Sequence, residues 1–225
     1  MKKILLSSLF SIALLADYTL SYQFEESEDI NVVDVMQYKD SKNIKLSYYY
    51  EGESSILPKT GLYVIDGIRY SVEESDNNLT YHGVTQYGDI NQEQQTNPEP
   101  FFKFIKKLDK EYIAGFEGEI WLVESQEDGI KEQEKIVVCS NKELVQAVKT
   151  YFNTIKYFGE GSYGQEFDAE FQSMFMVTDK YVLIAAKGIE LQRFEQSQIS
   201  PDTFKLPKEA HKITEVFENE GDTTQ

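Results

Sequence analysis

Cysteine occurs once in the 225 residues and histidine only twice. A lone Cys139 cannot close an intramolecular disulfide. It follows "KIVV" at alternating spacing, which predicts a buried structural thiol rather than a nucleophile. His82 and His211 are far apart in sequence, with no third ligand at a metal spacing and no triad context, and both are expected on the surface or in loops. No G-x-S-x-G elbow is present. Paired carboxylates abound in an acidic chain, so they identify no glycosidase, and no EF-hand spacing occurs. The expectation is a protein without catalytic residues, cofactor or metal. Positive charge is also scarce: 22 lysines and arginines face 39 aspartates and glutamates, for a net charge of −17. Such a chain repels nucleic acid phosphates and anionic lipid head groups. No apolar run reaches the roughly 20 residues that span a bilayer, so stable membrane insertion of the mature chain is not expected.

The longest apolar run lies at the start. Lys2 and Lys3 precede Ile4 to Leu15, which is apolar except for serines, and Ala16 is small enough for the last position before cleavage. Residues 1–16 therefore read as a secretory signal peptide, with cleavage after Ser21 as the alternative. The Lys-Lys start and the lack of a nearby lipid-acceptor cysteine point to a free periplasmic protein, secreted across the inner membrane of a bacterium. Processing leaves 209 residues, enough for one domain with a sizeable core, and takes away two lysines, so the net charge becomes −19.

Within residues 17–225 the expected order is strands, a helical interlude, strands, a long helix and strands again. "NVVDVMQY" and "NIKLSYYY" alternate as strands, with Ile44, Leu46, Tyr48 and Tyr50 on one side. "YVIDGIRYSV" is a hairpin around the type I′ pair Asp66-Gly67, which sets Ile65 opposite Ile68, Val64 opposite Arg69 and Tyr63 opposite Tyr70. "LTYHGV" adds a short strand, and a polar loop is expected near 86–100. "PFFKFIKKL" reads as a short helix presenting Phe101, Ile105 and Leu108. "YIAGFEGEIWLVE" resumes the sheet with Phe116, Gly118, Ile120 and Leu122 alternating against Trp121 and Val123, and Gly115 and Gly118 mark a bend or bulge.

"EKIVVCS" is the next strand. Ser140 with Glu143 forms a capping box for a helix running toward Phe158, whose apolar face is Leu144, Ala147, Val148, Tyr151, Phe152 and Ile155. "FQSMFMVTDKYVLIAAKGIELQRFEQ" carries turns at Thr178-Asp179-Lys180 and Lys187-Gly188, which set Ala186 opposite Ile189 and Ile184 opposite Leu191. Phe204, Leu206 and Pro207 supply apolar surface to pin the tail before a frayed acidic C-terminus. "GEGSYG", Gly159 to Gly164, matches the dinucleotide expression but follows a helix, so a glycine-rich helix stop is expected. "DNNLT", Asp76 to Thr80, has an acidic-x-Asn-x-Thr form that resembles the extended acceptor of some bacterial periplasmic N-glycosylation systems. The same composition also supplies such a pentapeptide by chance.

The succession of "VMQYKDSKNIKLSYYY", "GLYVIDGIRYSV", "IAGFEGEIWLVE", "KGIELQRF" and "FKLPKEA" resembles the periplasmic lipoprotein-carrier fold of the Lol type and related uncharacterised secreted families. The resemblance implies an α+β fold, a curved antiparallel sheet forming an incomplete β-barrel around a helical plug. It also implies a concave apolar interior for acyl chains. The expected function is a non-catalytic soluble periplasmic protein that binds or carries a lipid-like or other apolar ligand. Tyr63, Ile65, Ile68, Tyr70, Phe116, Ile120, Leu122, Ile184 and Leu191 are the candidate binding residues, because they are the apolar members of separate alternations. The alternative is an envelope protein-interaction or structural module whose core is filled and holds no ligand.

Overall fold

The computed structural model describes residues 17–27, 30–52, 58–75, 78–83, 101–127, 130–158 and 169–213. Apolar alternation dominates these segments and builds twelve strands. They are β1 Tyr18–Ser27, β2 Ile30–Asp40, β3 Asn43–Tyr50, β4 Gly61–Ile65, β5 Ile68–Ser75, β6 Asn78–Gly83, β7 Phe102–Ile113, β8 Phe116–Glu127, β9 Ile130–Cys139, β10 Val182–Ala186, β11 Ile189–Gln196 and β12 His211–Lys212. Helices α1 Lys142–Phe158 and α2 Ala169–Phe175 lie between β9 and β10, and a 3-10 turn spans Pro201–Phe204. All twelve strands join one sheet in the order β12-β6-β5-β4-β3-β2-β1-β11-β10-β9-β8-β7. β12 runs parallel to β6, whereas the other neighbours are antiparallel.

This corrects the expected α+β half-barrel around a helical plug. The chain forms one large, open, mixed sheet with two short helices. Two segments tip the balance from helix to sheet. The first is β1, where no strand was expected. It lies between β2 and β11, with Tyr18, Leu20 and Tyr22 buried at period two. The second is "PFFKFIKKL", expected as a helix, whose residues from Phe102 on belong to β7 at one end of the sheet. Its pairing with β8 slips twice, leaving Ile105 and Leu108 as extra residues at two β-bulges. Each bulge shifts the side-chain alternation by one residue. The resulting three-residue spacing of Ile105 and Leu108 imitates a helical face.

The main core gathers Tyr18, Leu20, Tyr22 and Met36 of β1 and β2, Ile44 and Leu46 of β3, Leu62 and Val64 of β4, and residues of β8 to β11. Five of the predicted α1 residues, Leu144, Ala147, Val148, Tyr151 and Phe152, close over it; the side chain of Ile155 lies outside the described residues. Phe175 ends α2 at the centre of an aromatic group, with ring centroids 5.0 Å from Tyr22, 5.2 Å from Phe152 and 6.0 Å from Phe24. The buried Tyr22 hydroxyl donates to the Leu183 carbonyl at 2.8 Å. Phe116 of β8 lies 5.9 Å from Phe194 of β11, although three strand steps separate them. A flat sheet would hold them about 14 Å apart, so the sheet bends back between β8 and β11. Gly118 allows the close layering there: a Cβ would stand 2.5 Å from Val137 Cγ1 and 2.8 Å from Ile184 Cδ1.

A smaller cluster forms on the other face. Lys45 and Tyr63 are opposite each other across β3 and β4, and the Lys45 ammonium sits 5.3 Å from the Tyr63 ring centroid. Lys45 donates to the Pro58 carbonyl at 2.6 Å, and the Tyr63 hydroxyl donates to the Lys59 carbonyl at 2.7 Å. Burial pushes the Lys45 ammonium down to about 8. The 3-10 turn lies against β3 and β4, and its Phe204 is buried, as the apolar tail predicted. Gly61 admits no other residue here: its φ is +131°, and a Cβ would stand 2.1 Å from the Leu46 carbonyl oxygen.

The helix cap also differs from expectation. Asn141 Oδ1, not the Ser140 hydroxyl, accepts from the backbone N–H of Glu143 and of Leu144, each at 3.0 Å. Serine and asparagine are similar in capping preference, so sequence alone leaves a one-residue ambiguity. Asn141→Ala should lower the unfolding free energy by about 1 kcal/mol, whereas Ser140→Ala should leave it nearly unchanged. Urea titration of the two variants checks this assignment. Cys139 is a buried free thiol, as its spacing predicted, and burial raises its pKa. The "GEGSYG" motif lies outside the described residues.

Candidate functional site

The nine residues expected to line a ligand face divide among three environments. The Asp66-Gly67 hairpin forms in the predicted register, with φ of 51° and 83° at the two turn residues. The face expected to point inward is nevertheless the one away from the main core. Leu62 and Val64 enter that core, while Tyr63 belongs to the Lys45 cluster, Ile65 and Tyr70 are half-buried and Ile68 is 57% exposed. Phe116, Ile120, Ile184 and Leu191 do converge in the main core, where Ile184 and Leu191 are buried. Leu122 is half-buried, whereas Trp121 and Val123 on the opposite face of β8 are buried. Alternation identifies two faces of a strand but does not say which one meets a helix.

A polar cleft of about 500 Å³ opens at the β12 end of the sheet. Pro58, Lys59 and Thr60 form one wall, the β5-β6 hairpin supplies Glu74, Asn78 and Leu79, and the chain returning to the sheet edge supplies Glu209 and His211. β12 positions His211 by pairing it with Thr80, and the Ile213 N–H donates to the Tyr81 carbonyl at 2.9 Å. Lys59 pairs with Glu209 and holds that carboxyl below its usual range. The cleft thus presents carboxylate acceptors, an amide and an imidazole, with its lysine already neutralised. That set suits a ligand rich in hydroxyls better than an anion. Its members come from distant segments, so no spacing in the sequence announces them.

A second polar feature lies under α1. The Tyr151 hydroxyl donates to Asp34 Oδ2 at 2.9 Å, tying the helix to β2. Across the sheet Asp34 is flanked by Tyr22 and Tyr48. Burial raises the Asp34 carboxyl to about 6, and the bond from Tyr151 opposes that rise. The arrangement joins helix to sheet through a single carboxylate.

Among the described residues, no group of three or more histidine, cysteine, aspartate or glutamate side chains is placed to hold a metal ion, and no helix is long and apolar enough to cross a membrane. Comparison with family models, with curated proteins and with solved structures finds no match to this chain.

Proposed function

We propose that the chain is exported to the bacterial periplasm and works there as a non-catalytic protein-interaction module of the envelope, meeting its partner through β7. The observation that carries this reading is where large apolar groups remain exposed. The space between the sheet and its helices is occupied by the Tyr22, Phe152 and Phe175 rings, yet β7 presents Phe104 at 53% and Tyr112 at 72% exposure, with Ile105 and Leu108 between them. Exposed aromatic groups on a terminal strand are the kind of anchor that protein interfaces bury. The same edge is guarded against indiscriminate strand pairing by its two bulges and by Lys103, Lys106, Lys107 and Lys110. Glu124, Glu119 and Glu117 of β8 pair with Lys103, Lys107 and Lys110, so aromatic contact rather than bare charge remains to define a partner.

Processing after Ala16, rather than after Ser21, is supported by the position of β1. The Asp17 carbonyl accepts from the Ser197 N–H, and its carboxylate accepts from the Ile199 N–H, both at 3.0 Å. Cleavage after Ser21 would remove the buried Tyr18 and Leu20 from the strand that joins the two halves of the sheet.

A photo-crosslinking amino acid at position 112 should give a discrete adduct in cells, whereas the same group at the exposed position 68 should not. Phe104→Ser should abolish that adduct while lowering the unfolding free energy by only about 1–2 kcal/mol, through the lost edge contact with Trp121. Absence of any adduct from β7 would overturn the reading. Release of a stoichiometric lipid from the purified protein by organic solvent would instead support the carrier of an apolar ligand.

A further inference from the structure

The function just proposed leaves unused both the polar cleft and the Asn78-Leu79-Thr80 acceptor form beside it. Asn78 is exposed and is the first residue of β6, paired with Ser75, the last residue of β5. Its strand places Asn78 and Thr80 on one face, since alternate residues point the same way. An asparagine followed two residues later by threonine at an accessible hairpin end of an exported protein is a physically reachable acceptor for a sugar. Asp76 supplies the preceding acidic residue of the longer form.

We propose that Asn78 carries an N-linked oligosaccharide whose first sugar rests in the cleft. The Asn78 amide nitrogen attacks the anomeric carbon of a lipid-diphosphate-linked oligosaccharide. The C–N bond forms as the C–O bond to the diphosphate breaks, an amide proton is lost and the lipid diphosphate departs. Asn78 itself lines the cleft, so the attached sugar starts at its rim. Glu74 and Glu209 accept hydrogen bonds from sugar hydroxyls, and Pro58 and Leu79 offer apolar surface to the C–H face of a pyranose. The cleft, at about 500 Å³, falls in the usual range of small-ligand sites. The unpaired charge that would favour an anionic occupant is absent, because Lys59 is bound to Glu209.

The inference stands on the export reading, and one measurement separates the two. The intact mass of the protein purified from its native envelope should exceed that of the polypeptide by a whole number of sugar residues, and fragmentation should place them on Asn78. The excess should vanish in Asn78→Gln and Thr80→Ala and persist in Thr80→Ser. An unmodified mass overturns the proposal, and the same spectrum shows whether residues 1–16 have been removed, which tells failure of export from failure of the acceptor. Sugar mass that survives in Asn78→Gln overturns it equally. Enzymatic removal of the glycan should shift the ring resonances of His211 and leave those of His82 in place; an unmoved His211 overturns the seating of the first sugar in the cleft.

Discussion

Phe175→Ala is expected to lower the unfolding free energy by about 4 kcal/mol, a large share of the 5–15 kcal/mol typical of a domain. The ring is fully buried and meets Tyr22, Phe24 and Phe152, so its removal opens a void bounded by both the sheet and α1. Rigid aromatic neighbours cannot easily collapse into such a space. Phe175→Leu should recover more than half of the loss by refilling part of the volume. Urea titration followed by near-ultraviolet circular dichroism reads both variants. A loss below about 1 kcal/mol for the alanine variant would mean that α2 is not anchored through this ring.

Asp34→Asn is expected to stabilise the protein at pH 7 by about 1–3 kcal/mol and to remove a pH dependence that the natural chain carries. The folded-state carboxyl titrates at about 6, above its ordinary value, because it is desolvated beneath α1. Between roughly pH 4 and pH 6 the folded state therefore binds more protons at this site than the unfolded state, and the contribution of Asp34 to stability falls as pH rises through that window. Below the window the benefit is complete; above pH 6 the cost of the buried charge persists. Asparagine keeps an acceptor for the Tyr151 hydroxyl without the charge. The difference in unfolding free energy between the two proteins, measured at pH 4.5 and pH 7.5, isolates this site from the general repulsion within an acidic chain. An equal difference at both pH values would contradict the assignment.

Local features of the fold were the most legible in the sequence. The Asp66-Gly67 turn fixed the register of β4 and β5, and the three-and-four spacing from Leu144 to Phe152 marked the buried side of α1. What failed depended on distant partners. Tyr18, Leu20, Tyr22 and Phe24 alternate as plainly as any strand, yet only β2 and the distant β11 give that alternation a sheet to join. In β7 the bulged Ile105 and Leu108 broke the alternation that would have identified the strand. The outward setting of Ile68 follows from Leu62 and Val64 on the opposite face entering the main core, information absent from the hairpin itself. For the same reason the cleft was unreadable: only the return of the chain as β12 beside β6 brings His211 near Glu74.

The central placement of β1 sets the order in which this chain can become whole. Asp17 and Ile199 are hydrogen-bonded although 182 residues apart in sequence, and β1 finds its β11 partner only after nearly all the intervening chain is present. β2 to β6 can form by successive neighbouring pairings, but closing the seam between β1 and β11 bears the loop entropy of almost the full length. During that interval β1 offers an unpaired edge bearing Tyr18, Leu20 and Tyr22, a surface prone to wrong pairing. Folding should therefore be slow and sensitive to concentration, and the seam, once closed, ties the first described residues to the last third of the chain in a single cooperative unit.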